Sequence, residues 1–272
     1  MERPKKTSGR KARLSSVANS IRMIKVFSDS EYEMGISALA ARLGLAKSTA
    51  HRLATTLVQY DILEQNKETG RYRLGLALFE LGTLVRRKMD LANEARPQLL
   101  ALMESTGETV QLALLDHQSI LYINNMESPK AVRSSARVGS RAPLHCTSLG
   151  KALLAFQSPE VVQQVIDAGL RRYTDTTITT AHELRAALGI VRSKGYAVDD
   201  EEYEAGMRAI AAPVRNHSGD VIAAVGITAP MQRMTKRNLQ MVAPTVVAAA
   251  EAISRRLGYR VSQNQSGRQV ID

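Results

Sequence analysis

The chain has 272 residues, 44% hydrophobic and only 4% aromatic, with 37 Lys and Arg against 26 Asp and Glu for a net charge of +11. That length accommodates about two domains with proper cores, and the lack of any run of 18 apolar residues excludes a helical membrane span. A single cysteine, Cys146, excludes an internal disulfide framework and fits a reducing cytoplasm, and the five scattered histidines lack metal-ligand spacing, so no metal or cofactor is expected.

Positive charge is concentrated at the start. Residues 1–90 hold 17 Lys and Arg against 9 Asp and Glu, a net +8, which leaves +3 for the remaining 182 residues. Residues 1–14 have the composition of a flexible basic arm with no apolar stretch behind it, so they are not a secretory signal. A basic excess there suits a polyanion, and the scarcity of aromatic stacking platforms disfavours single-stranded nucleic acid.

Val17, Ile21 and Ile24, joined by Met23 and Phe27, mark an amphipathic helix. Ser37 is the expected N-cap of a second helix, with Leu39 and Leu43 buried and Gly44 ending it. A third helix is expected from Ala46 to Tyr60, with Ala50, Leu53, Ala54, Leu57 and Val58 on its apolar face. Its other face carries Lys47, Ser48, His51, Arg52 and Thr55, with Thr49 beside them. All are hydrogen-bond donors and none is acidic, which is what a helix approaching phosphates requires. Residues in the first turns of such a helix reach base edges.

A hairpin follows, with strands at Ile62–Gln65 and Arg71–Leu74, and Arg71 and Arg73 on one face. An ordinary surface hairpin would look similar. Directly after a helix-turn-helix it reads as a wing on the DNA backbone. The whole of 15–75 thus predicts a winged helix-turn-helix binding double-stranded DNA.

Residues 76–89 read as a linker helix. The stretch Leu76–Val85 is apolar around most of its circumference, so it needs burial from more than one side, as a second copy of the chain would give. Asp90 is a candidate N-cap for the next helix, and Pro97 predicts a kink or a late start there. Val110, Leu112 and Leu114 alternate on a strand that turns at Asp116–Ser119 into Ile120–Asn125. Thr147 caps a helix over Ser148–Phe156, Ser158-Pro159 opens another to Ala168, and Thr180 caps a third ending at Gly195. Met207–Val214 and Val221–Thr228 form a hairpin, and Thr235 starts a last helix ending at Gly258. Mixed strands and helices with hairpins predict an α+β domain around an antiparallel sheet over 90–260. Residues 261–272 read as a disordered tail.

The segments Leu43-Gly-Leu-Ala-Lys-Ser-Thr-Ala-His-Arg-Leu53 and Gly70-Arg-Tyr-Arg-Leu-Gly75 resemble the IclR family of bacterial transcription regulators. The resemblance extends to Val138-Gly-Ser-Arg-Ala-Pro-Leu-His-Cys-Thr-Ser-Leu-Gly-Lys-Ala-Leu-Leu-Ala155, Gly195-Tyr-Ala-Val-Asp-Asp-Glu-Glu202 and Gly206-Met-Arg-Ala-Ile-Ala-Ala-Pro-Val214. It implies a GAF-like effector-binding domain, a homodimer or dimer of dimers, and an operator released or bound in response to a small-molecule effector, commonly a carboxylate. Repression is the commoner family behaviour. The family's effector pocket maps here onto Ala142, Ser148, Leu149, Asp199, Ala209, Gly226 and Thr228. Ala209 stands where a cysteine is frequent, and Gly226 lacks a hydroxyl that some members present.

The helix start at Ser148 has its own reason to hold an anion, since free N–H groups point there, with Cys146 and Thr147 as added donors. Equally, Thr147 reads as a plain cap. Asp199 heads an acidic run that is either a solvated turn or an acceptor for ligand hydroxyls, and Glu202 is a candidate partner for Arg208. A His145–Cys146–Asp199 nucleophile set is disfavoured, because adjacent residues on an extended segment point apart. The chain is therefore expected not to be an enzyme. A constitutive architectural DNA binder is the remaining alternative.

Overall fold

The computed structural model describes residues 16–28, 30–87, 90–131 and 136–260. The 1–14 arm, the end of the 76–89 linker and the 261–272 tail lie outside the described residues. The chain separates into two compact units at Met89/Asp90.

The first unit holds α1 (Ser16–Ile24), α2 (Ile36–Leu43), α3 (Lys47–Gln59), β1 (Leu63–Gln65), β2 (Tyr72–Leu74) and α4 (Leu76–Arg87). Met23, Leu39, Leu43, Leu53, Leu63 and Tyr72 are among its core residues. Gly44 ends α2 at φ 65°, a left-handed conformation natural to glycine, and Leu45 N–H reaches back to Ala40 O at 2.9 Å. That corner sets α3 across α2. The hairpin pairs Leu63 with Leu74 and Gln65 with Tyr72. Met34 and Tyr72 exchange backbone hydrogen bonds at 2.9 and 2.8 Å, which ties the wing to the body.

Two expectations fail here. Ser37 is not the cap of α2: the helix starts at Ile36 with Gly35 as N-cap, so Ser37 sits inside the first turn. On α1 the buried positions are Asn19 and Met23, while Val17 and Ile21 are exposed. Arg22 explains part of that rotation, because its guanidinium donates to Leu43 O at the end of α2 (3.1 Å) and to Asn19 Oδ1 (3.0 Å).

The second unit is an antiparallel sheet of order β5-β4-β3-β8-β7-β6. Its strands are β3 (Thr109–Asp116), β4 (Ser119–Met126), β5 (Arg141–Pro143), β6 (Ala197–Asp200), β7 (Met207–Arg215) and β8 (Val221–Pro230). The two-residue period sorts the side chains between two cores. Val110, Leu112, Ile210, Val214, Val225 and Ile227 join α5 (Asp90–Thr106) and α9 (Lys236–Arg256) on one face. Ala113, Ala211 and Ala224 meet α6 (Ser148–Leu154) and α8 (Ala181–Lys194) on the other, with α7 (Pro159–Asp167) outside. Around Ala211, Ala224 and Gly226 that second face is built of small residues. At Gly226 a Cβ would stand 2.5 Å from Ile210 O and 2.8 Å from Ala211 Cβ, so the strands close tightly there.

Caps at Thr147, Thr180 and Thr235 form as read, each hydroxyl accepting from the backbone three residues on. Helix α5 is continuous across Pro97, so the late start does not occur. Strands β5 and β6 were not legible: at three and four residues they are too short to show a period, and Asp199 and Asp200 look like a turn.

Candidate functional site

On α3, Lys47, Ser48, His51, Arg52 and Thr55 are exposed, Thr49 is half-buried, and Ala50, Leu53 and Ala54 are buried. The N-cap is Ala46, with no side-chain bond, so the first-turn N–H groups are not taken up by a cap. Donors and a positive helix end therefore share one acid-free surface, suited to phosphate and base edges. The wing arginines differ. Arg71 is exposed. Arg73 instead pairs with Glu64 at 2.7 Å and Glu33 at 3.4 Å, and that hydrogen bond holds the Glu64 carboxyl below its usual range. Of the two arginines read as wing contacts, Arg73 therefore carries carboxylate partners at Glu33 and Glu64.

In the second unit a cavity of about 200 Å³ opens on the α6 side of the sheet, walled by α6, β3–β8 and the turn after β6. Of the expected pocket residues, Ala142, Thr147, Ser148, Leu149, Asp199, Ala209 and Thr228 line it. Two do not. Cys146 is fully buried and does not line it, and burial pushes its thiol well above the usual range. Gly226 is closed off by the β7–β8 approach described above. Thr147 lines the wall with an occupied hydroxyl, which donates to Pro143 O at 2.7 Å and accepts from Gly150 N–H at 3.1 Å.

Residues not singled out in the sequence complete the wall, chiefly Gln111, Tyr122, Arg141, Tyr203 and Glu204. One signal was there. Gln111 is a polar residue between the core positions Val110 and Leu112, hence turned to the opposite face, where Thr228 Oγ1 donates to its Oε1 at 3.0 Å. Tyr203 and Glu204 sit on a turn that no periodicity reports.

Asp199 is a strongly perturbed group of the wall. Burial first, then the neighbouring Glu202 charge, push its carboxyl up to about 7, against the opposing effects of Lys151 and of the Glu202 and Tyr203 N–H groups. Its Oδ1 accepts from Glu202 N–H at 2.8 Å. Glu202 does not pair with Arg208 as expected. It forms a buried ion pair with Lys151 of α6, while Arg208 is bonded to Asp200 at 2.5 Å and Glu201 at 3.5 Å. The turn itself is clamped from outside, since Thr174 and Thr176 hydroxyls donate to Glu201 O and Thr177 to Glu202 O, each at 2.7 Å. Those bonds hold Glu201 at φ 63°, unusual for a non-glycine residue.

A winged helix-turn-helix whose α3 surface is free of acids, joined in one chain to a domain with a cavity on its sheet, fits the class of DNA-binding transcription regulators. Comparison with known proteins agrees. Residues 16–67 match the IclR helix-turn-helix domain, and residues 83–255 match the bacterial transcriptional regulator IclR C-terminal domain. The chain belongs to the IclR family, a family of regulators and not of enzymes. It is 38% identical to the HTH-type transcriptional regulator KdgR of Escherichia coli (strain K12) over 230 residues, 84% of this chain and 88% of that one. It is 34% identical to the HTH-type transcriptional regulator XynR of the same organism over 247 residues, 90% and 98% of the two chains. Among solved structures, an IclR homolog from Microbacterium hydrocarbonoxydans complexed with 4-hydroxybenzoate superposes with TM-score 0.81 at 31% identity, covering 89% of this chain and 99% of that one.

Proposed function

We propose that this protein is a cytoplasmic repressor of a catabolic operon, which holds its operator through α3 and Arg71 and changes that grip when a small organic acid occupies the α6-side cavity. Residues 15–75 serve as the DNA-binding domain, 76–89 as the linker helix and 90–260 as the effector-binding domain. The single observation that carries this is the cavity itself: about 200 Å³, with Ser148, Asp199 and Thr228 on its wall, in the same chain as an acid-free helix face. That volume is below the roughly 300–1,000 Å³ of sites for drug-sized ligands, which suits a sugar acid, keto acid or aromatic carboxylate. The 4-hydroxybenzoate held by the Microbacterium hydrocarbonoxydans homolog is of that size and class.

The working form is a homodimer or dimer of dimers. On α4, Leu76, Phe79, Leu81 and Leu84 are exposed, an apolar surface that a second copy of the chain would cover while matching a palindromic operator. The effector acts by binding one arrangement of the paired DNA-binding units more tightly than another.

Two variants test the division of labour. Arg52→Ala is expected to weaken operator binding at least tenfold at fixed salt while leaving ligand-induced stabilisation intact. Asp199→Ala is expected to do the reverse, with normal operator binding and a lost ligand response. Operator titration and thermal melting across a panel of acids measure both, and equal effects of either variant on the two readouts would refute the assignment.

A further inference from the structure

We infer that an acid effector enters the α6-side cavity together with a proton taken up from solvent by Asp199, whose protonated carboxyl then donates a hydrogen bond to the bound anion. The inference deepens the proposed function and rests on its reading of the effector as a carboxylate.

Charge repulsion inside the cavity favours the proton. Among the described residues of the wall, the charged side chains are Asp199, Glu204, Arg141 and Arg208. Both arginines are already committed. Arg141 is bonded to the Asp116 carboxylate and to Ser119, and Arg208 to Asp200, Glu201 and Met234 O. An entering anion therefore meets a carboxyl that is 8% exposed, with no uncommitted cation among the described wall residues to offset it. Two like charges held side by side in so small a space do not both stay ionised.

Groups packed around Asp199 supply no remedy. On the turn behind it, Glu202 adds a second carboxylate, of which Oε1 pairs with Lys151 and Oε2 is buried with no hydrogen-bond partner. One ammonium from α6 thus faces two carboxyls. From β4 comes the Tyr122 phenol and from the segment before α6 the Cys146 thiol, both pushed up by burial and both neutral near pH 7. Tyr203 and Glu204 follow on the same turn as Glu202. On its own strand, Asp200 faces Arg208 and Lys236 and takes no part. Asp199, Glu202 and Lys151 leave the interior one negative charge in excess before a ligand enters, and a proton taken up with the anion keeps that excess from doubling. Asp199, whose carboxyl burial has already lifted to about 7, is the group placed to hold that proton against the ligand. A neutral carboxyl at this position keeps its acceptor role toward Glu202 N–H through Oδ1 and gains a donor for the effector.

Calorimetry on the full-length protein tests this with three probes, pyruvate, gluconate and 4-hydroxybenzoate, each titrated at pH 6.5, 7.5 and 8.5 in two buffers of different ionisation enthalpy. The expected result is uptake of close to one proton per acid bound at pH 8.5, seen as a buffer-dependent heat. Affinity is expected to fall by nearly tenfold between pH 7.5 and 8.5. Asp199→Asn, which fixes a neutral donor at this position, is expected to remove both effects. A probe that binds with no proton uptake and with pH-independent affinity would overturn this inference and leave the acid effector standing. If none of the three binds at pH 6.5, the acid effector and this inference fall together.

Discussion

At Asp199 burial outweighs the cation that stands nearby. Lys151 favours the ionised carboxyl, but it is already paired with Glu202, and Glu202 repels it in turn. The resulting pH dependence has a definite sign. Below about pH 4 the carboxyl is protonated in both folded and unfolded chains and contributes nothing. Between the ordinary carboxyl value of 3.8 and about 7 the unfolded chain releases the proton while the folded chain keeps it, so stability falls as pH rises, and the loss levels off above about 7. Asp199→Asn does not carry that cost. It is expected to be more stable than the parent at pH 8, on the order of 2–4 kcal/mol, and equal to it near pH 4, by thermal or urea unfolding. A constant difference across that range would show that Asp199 does not hold its proton. The sequence names Asp199, since it stands in a recognisable motif. It does not reveal which charges face it, because Lys151 is 48 positions away and meets it only through the packing of α6 on the sheet.

Helix boundaries separate what short sequence patterns say from what side chains do. Thr180 and Ser158 both read as N-caps, yet only Thr180 accepts a backbone N–H, in a reciprocal capping box with Glu183. Thr180→Ala is therefore expected to cost about 1 kcal/mol, and Ser158→Ala only a few tenths, in urea unfolding of the intact protein. Comparable losses for the two would mean that the capping bond contributes nothing. The same contrast applies to the wing. Arg71 and Arg73 share a strand face by period, but Glu64 directly opposite Arg73 turns one of them into a structural tie. Short strands escape detection altogether: β6, which carries Asp199, is defined only by its pairing with β7.

For the molecule as a whole, the exposed apolar surface of α4 is the feature that one chain leaves unresolved. Phe79 is 74% exposed. Phe79→Glu is expected to shift the protein toward monomer in sedimentation and to weaken operator binding at least tenfold, with the effector-induced melting shift retained. An unchanged sedimentation profile would place the dimer contact elsewhere. By itself the sequence determined the two-unit plan, the acid-free face of α3, the alternation of β3, β4, β7 and β8, and the capped helices. Each of these follows from the local period of apolar residues and from the chemistry of single positions. Only the tertiary structure decided that Cys146 and Gly226 are outside the cavity, that Glu202 pairs with Lys151 and not Arg208, and that both cavity arginines are committed. Those outcomes depend on which distant side chains packing brings within a few ångströms, and at that range burial and neighbouring charge set what each group does.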